Sequence, residues 1–277
     1  MPDPEIRLIM LDLDGTLLNS DKKLTPRNAA ALQRAAAAGA EIVPATGRFF
    51  GGMPEEVRRL PFLHYAITIN GAQIYDIEND SALARAEIPL ELALSIMEYV
   101  EQYPVAYDCY QENWGVITAN FLAHIEEYTP DPHYQEMARR LRKPVPELKS
   151  YLRDLGKDVQ KIILYIPRPS LRTQLLNELP KQFPQTSVTS SIPSNIEINI
   201  AEANKGNALQ KLAEMLDIPI AQTAAFGDGL NDVSMLRTAG LGIATANAVP
   251  EAKAAAKRLT ASCDEEGVAL ALEELGY

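Results

Sequence analysis

Apolar and polar positions along this chain follow two regimes. Near the start, "IRLIMLDL" is a compact apolar run, the pattern of a buried strand. In "LTPRNAAALQRAAAAGAEIVPATGR" that follows, Thr25 suits a helix N-cap, Pro26 the first helical position and Gly39 the helix end, so an Ala-rich helix is predicted between them. "EIVPA" predicts a second strand, with Pro44 acceptable only at its end. "HYAITI" predicts a third, and "NGAQIYD" a turn leading into a hairpin. Strand–helix–strand order implies parallel pairing through right-handed crossovers.

From about Ala82 to about Ser191 the pattern changes. Much of the aromatic content lies here, strand-like "VAYDCY", "WGVIT" and "KIILYIP" mix with helical "LELALSIMEYVEQY" and "PSLRTQLLNELPKQF", and prolines cluster at Pro130, Pro132, Pro144 and Pro146. A second, α+β domain is predicted. From "NIEINI" onward the simple alternation returns, with helices in "NKGNALQKLAEMLDI", "NDVSMLRTAG", "VPEAKAAA" and "EEGVALALEEL" and strands in "TAAFGD" and "LGIATA". The expected organisation is an α/β parallel-sheet domain made of residues 1–82 plus 192–277, interrupted by an α+β insertion at 83–191.

Composition narrows the partners. The chain has 277 residues, 47% of them apolar, enough for one large core or two ordinary ones. A formal net charge of −11 argues against non-specific binding to nucleic acid or anionic membranes, which needs clustered Lys and Arg. No stretch approaches the roughly 18 apolar residues of a membrane span. "MPDPEIR" has neither the basic region nor the apolar core of a signal peptide, so a cytoplasmic location is expected. Cys109 and Cys263 are far apart and are expected to be free thiols.

Asp12 and Asp14 are the first candidates for chemistry. They stand at the predicted carboxyl end of the first strand, where open parallel sheets bind ligands. If the strand continues, their spacing points both to one side, and Gly15 and Thr16 then turn the chain. The alternative is a turn that happens to be acidic. A calcium loop starting at Asp12 fails, because Leu17 and Lys23 occupy its Gly and Glu positions. "GDGLND" nearly matches a dinucleotide fingerprint, but Asp232 takes the third glycine position and would repel a pyrophosphate. In that second acidic cluster Asp228 also follows an apolar strand, while Asp232 reads either as part of the site or as a charge at a helix start.

If the two strands are adjacent, four carboxylates share one crevice. Unit charges 4 Å apart repel by about 4 kcal/mol at an effective dielectric of 20. A hard divalent cation with oxygen ligands, Mg²⁺ above all, relieves that repulsion. His64, His124 and His133 form no ligand spacing, which argues against zinc. In "PATGR", the Thr46 hydroxyl and the Gly47 amide suit an anion, or else a turn or N-cap. Lys205 in "NKGNAL" opens a helix, against the dipole. It reads either as a solvated surface lysine or as a cation facing an anionic partner.

"DLDGT", "ATGR", "NKG" and "GDGLND", in that order, resemble the four motifs of the haloacid dehalogenase (HAD) superfamily of phosphatases. Within it, "TINGAQIYD", "GDGLNDVSML", "GIATANAVPEAKAAA" and "DEEGVALAL" resemble the Cof-type, sugar phosphatase-like subgroup (IIB). The likeness covers residues 6–80 and 194–275, and the middle segment matches only in position and size, like the mobile cap those enzymes insert.

The resemblance implies a Rossmann-like core with an α+β cap that selects substrate and closes to exclude water. It implies phosphate-ester hydrolysis through an aspartyl-phosphate, with Asp12 as nucleophile and Asp14 as the acid and then the base. Thr46, Gly47, Lys205 and Asn231 would hold the phosphoryl group. Mg²⁺ would be held by Asp12, the Asp14 carbonyl and Asp228, with Asp232 either a ligand or a support. The implied partner is a small phosphorylated metabolite such as a sugar phosphate, and a monomer or weak dimer is expected. A phosphomutase or a catalytically silent binding protein on the same fold are the alternatives. Arg48 is positioned to contact substrate, whereas Tyr110, Trp114 and His133 read as core or surface residues. Ala246 replaces a glycine common in the subgroup and Cys263 an asparagine, which puts loop geometry in question but touches no catalytic position.

Overall fold

The computed structural model describes residues 5–130, 132–190 and 192–277. Ser191, the expected end of the insertion, and the side chain of His133 lie outside the described residues. The chain divides into two compact units, Met1–Arg85 with Asn204–Tyr277, and Ala86–Ala203.

The first unit is built on a five-stranded sheet in the order Arg258–Leu259, Leu241–Ala244, Thr223–Gly227, Leu8–Leu11, Glu41–Pro44, all parallel. The unbroken apolar run of Leu8–Leu11 follows from its central place. Ile9 and Leu11 pack with the helices Pro26–Ala37 and Gly267–Glu274 on one face, and Leu8 and Met10 with Leu209 and Leu212 of helix Lys205–Met215 on the other. All four are at most 1% exposed, and each such burial stabilises by roughly 1.5–3 kcal/mol. Thr25 caps its helix by accepting the Asn28 amide, and Pro26 takes the first turn as predicted. Pro44 is the last residue of its strand, where a missing N–H does least harm. Tyr65–Thr68, Gln73–Asp76 and Ser81–Arg85 form a separate antiparallel sheet, so the predicted hairpin is present.

The second unit holds a six-stranded sheet ordered Thr186–Thr189, Asn195–Ile200, Lys161–Tyr165, Ala106–Gln111, Trp114–Thr118, Arg142–Val145, antiparallel except for the last pair. One correction to the sequence reading lies here. Asn195–Ile200 was expected to begin the returning parallel domain, but it pairs with Lys161–Tyr165 in this sheet. The insertion accordingly runs to Ala203 and not to 191. The reason lies in the partners its two faces meet: Ile196 and Ile198 enter the apolar cluster under helices Leu90–Val100, Leu148–Leu155 and Pro169–Gln182, while Glu197 meets Lys161 on the opposite face.

That opposite face is polar and buried. Arg142 Nε donates to Asp108 Oδ2 at 2.6 Å and Nη2 to the Tyr110 hydroxyl at 3.1 Å. The Tyr110 ring has the Arg142 guanidinium 4.7 Å and the Lys161 ammonium 4.5 Å from its centroid. Asp108→Ala would leave Arg142 buried without its carboxylate, and a loss of about 3–5 kcal/mol in urea unfolding is expected. An unchanged midpoint would show that the pair adds nothing. Tyr110 is thus a core residue and Trp114 an exposed one. Both cysteines are free. Among the described residues, no helix is long and apolar enough to cross a membrane.

Candidate active site

The parallel register sets the site. Leu11 stands opposite Phe226 on one side and Pro44 on the other, so the three strands end together. Asp12 follows the first strand, Asp228 the second, and Thr46 lies two residues past the third. The Asp12 amide donates to the Phe226 carbonyl at 2.9 Å, which carries the pairing one step beyond the strand.

Asp12, Asp228 and Asp232 each bring a carboxylate oxygen within 4.8 Å of the others. Lys205 lies among them, fully buried, its Nζ 2.5 Å from Asp12 Oδ1 and 2.6 Å from Asp232 Oδ1. The surface-lysine alternative is therefore overturned. Burial would lower its pKa, but Asp12 and Asp232 outweigh that and hold it above its ordinary value. Asp232 is fully engaged, since its other oxygen accepts the Asp228 and Gly229 amides at 2.9 and 2.8 Å. It braces its own loop more than it caps a helix. Asp228 Oδ1 accepts the Thr16 hydroxyl at 2.7 Å. Gly15, at φ +92°, makes that approach feasible, because a Cβ there would sit 2.5 Å from Asp228 Oδ2.

Asp14 departs from expectation. The strand stops at Leu11, so the period-two argument lapses, and the Asp14 carboxylate does not join the other three. Arg48 grips it with both prongs, Nε at 3.0 Å from Oδ2 and Nη2 at 2.9 Å from Oδ1, and Lys22 lies 3.3 Å from Oδ1. Four carboxylates in one crevice become three with one lysine, a deficit of two positive charges. Burial and the neighbouring charges act together on the acids. Burial pushes Asp12 well above the usual carboxylate range, with Lys205 opposing and Asp232 and Asp228 adding to it. Burial likewise raises Asp228 to about 6.

Thr46 is buried, and its hydroxyl oxygen accepts the Arg48 amide at 3.2 Å, so the turn reading of "ATGR" holds and the hydroxyl proton remains to donate. Gly47 follows it in the same turn. Asn231 stands in the short helical turn Leu230–Asp232, its Nδ2 donating to Asn70 Oδ1 at 3.2 Å. Sequence reasoning assigned Thr16 only to a turn and gave Asn70 and Asn247 no role. Asn247 Nδ2 donates to the Gly15 carbonyl at 2.8 Å and its Oδ1 accepts the Cys263 amide at 2.9 Å. A backbone amide serves that contact, so the Cys263 departure leaves it intact.

Residues 9–272 match the family model of haloacid dehalogenase-like hydrolases. The chain belongs to this family. Phosphatase YwpJ of Bacillus subtilis is 30% identical over 98% of this chain and 100% of its own length. A second B. subtilis relative, 5-amino-6-(5-phospho-D-ribitylamino)uracil phosphatase YcsE, is 28% identical over 98% of this chain and 96% of its own. A solved haloacid dehalogenase-like hydrolase from B. subtilis superposes with a TM-score of 0.82 at 28% identity, covering 98% of this chain and all of that one. This HAD-family chain is a phosphatase with an α/β parallel-sheet core.

Proposed function

We propose that this HAD phosphatase hydrolyses the phosphate monoester of a small metabolite, a sugar or polyol phosphate, with Mg²⁺ and through an aspartyl-phosphate on Asp12. The observation that carries it is the contact of the buried Lys205 ammonium with Asp12 at the end of a central strand. An oxygen of Asp12 bonds to phosphorus while the bond to the metabolite oxygen breaks, and Asp14, released from Arg48 and Lys22 and carrying a proton, gives that oxygen its proton. Asp14 then takes a proton from water as the water oxygen attacks the aspartyl-phosphate and frees Asp12. Thr46, Gly47, Lys205 and Asn231 hold the phosphoryl oxygens. The phosphoribityl substrate in the name of one relative supports a small polyol or sugar ester.

The donor set fits a hard divalent cation. All three clustered carboxylates offer oxygen, and when all are ionised they carry two negative charges after Lys205. Asp12, Asp228 and the Asp14 main-chain carbonyl would hold it, and Asp232 would support from its loop. Mg²⁺, when bound, supplies neutralisation of charge on the transferring phosphoryl group.

Phosphate release from a panel of sugar, polyol and nucleoside phosphates, with Mg²⁺ or with EDTA, tests this function. Small sugar or polyol esters are expected to rank first, and EDTA to lower turnover at least about 100-fold. No release from any ester by folded, Mg²⁺-loaded protein would refute the hydrolase. Binding is readable without turnover. Mg²⁺ at about 100 times its Kd is expected to stabilise by about 2.7 kcal/mol at pH 7.5. That gain fades as pH falls through about 6, because the raised Asp228 then binds a proton that the cation must displace. Its raised value also means the metal-free protein gains stability from this group as pH falls from about 6 toward 4. A melting curve insensitive to Mg²⁺ at pH 7.5 would count against the cation site.

A further inference from the structure

We infer that Asn70 is a positioning residue of this active site, acting through Asn231 and resting on the phosphatase function proposed above. Three consecutive residues turn left-handed: Ile69 at φ 55°, Asn70 at φ 60° and Gly71 at φ 100°. Asparagine tolerates this region and glycine prefers it, but a β-branched residue such as isoleucine is an outlier there. Such a strained turn persists only where its surroundings over-determine it.

The surroundings are the site itself. The Ile69 amide donates to the Arg48 carbonyl at 2.9 Å and the Asn70 amide to the Thr46 carbonyl at 3.0 Å, so the turn is fastened to the "ATGR" loop. Gly71 packs against the start of the lysine-bearing helix, where a Cβ would lie 2.4 Å from the Asn204 carbonyl oxygen and 3.0 Å from the Lys205 amide nitrogen. Asn70 Oδ1 accepts from Asn231 Nδ2 at 3.2 Å. One strained turn therefore meets three of the four motif segments, each from a different part of the sequence.

The Asn70–Asn231 bond has a definite chemical consequence. A carboxamide is planar, so fixing one Nδ2 hydrogen fixes the direction of the other. Asn70 is 5% exposed, so the accepting side chain is buried against its neighbours, while Asn231 is half-buried. With Asn70 in place, the second Asn231 donor is held in one orientation before phosphate arrives. Without it, the amide rotates and the orientation must be found on binding.

Asn70→Gly separates this role from folding, because glycine keeps the left-handed backbone without steric cost while deleting the acceptor. It is compared with Asn231→Ala and the double variant, by steady-state kinetics on the best ester and by inhibition with inorganic phosphate. Asn70→Gly is expected to melt within a few degrees of the wild type yet raise KM and the phosphate inhibition constant about tenfold, the scale of one lost hydrogen bond, with kcat changed less. The double variant is expected to be no worse than Asn231→Ala alone, the signature of two residues acting as one unit. Wild-type KM and inhibition in Asn70→Gly, or single losses that multiply in the double variant, would overturn the inference. Wild-type kinetics in Asn231→Ala would overturn it too, while leaving Asp12 as nucleophile standing. Failure of the wild-type protein to release phosphate at all would instead bring down the phosphatase function and this inference with it.

Discussion

Asp12→Asn is expected to lower turnover at least about 10⁴-fold, the scale seen when a nucleophile is removed and only binding and electrostatic stabilisation remain. The substitution keeps the shape of the side chain and leaves an oxygen for the Lys205 ammonium, now 2.5 Å from Asp12 Oδ1. It removes only the charge that makes the carboxylate nucleophilic. The protein should fold at least as well as before at neutral pH. Burial already penalises the charged form of Asp12, and Asp232 and Asp228 add repulsion. A neutral amide removes those costs while forfeiting part of the attraction to Lys205. Phosphate release measured beside a melting curve decides the matter. A variant within tenfold of the wild type would exclude Asp12 as nucleophile, whereas a dead and unfolded variant would show a structural role instead.

Lys205→Met is expected to have the next largest effect, on stability and activity together. Lys205 is fully buried and bonds both Asp12 and Asp232, so its loss leaves two acids facing one another in low dielectric. Removing one partner of such a buried group costs about 3–5 kcal/mol. Methionine roughly preserves the volume, so the loss reports charge and not a cavity. The sign with pH is fixed by the same groups. Asp12 and Asp228 are both raised, so their repulsion is greatest at neutral pH and relaxes as they take up protons on acidification. The gap between variant and wild type in urea unfolding should therefore be widest near pH 7.5, smaller near pH 5, and reduced by Mg²⁺ at pH 7.5. Equal midpoints for the two proteins at pH 7.5 without Mg²⁺ would show that Lys205 does not neutralise the cluster.

Much of this was readable along the chain, for identifiable reasons. The run Leu8–Leu11 is apolar without alternation because both faces of the central strand are covered, and an aspartate directly after such a run has few structural excuses. Thr25 with Pro26, and Pro44 at a strand end, depend on local backbone chemistry and appear where the pattern put them. Asn195–Ile200 was misassigned because its alternation marks it as a strand and says nothing about which sheet it joins. Asp14 shares a side with Asp12 only if the strand continues, a condition of a related kind. Whether a strand extends two residues further depends on its neighbours, and the side chain went to Arg48 once it stopped.

The sequence by itself determined the α/β parallel architecture with an inserted α+β segment, the strand ends that carry Asp12 and Asp228, and the acidic clusters at those ends. Those features follow from hydrophobic period, capping and charge, which act over a few residues. Only the tertiary structure decided that Lys205 is buried between Asp12 and Asp232, that three carboxylates and not four share the pocket, and that Asn70 reaches Asn231 across 161 positions of sequence. Contacts of that kind depend on strand order and register, and no local pattern encodes which distant segments the sheet brings to one edge.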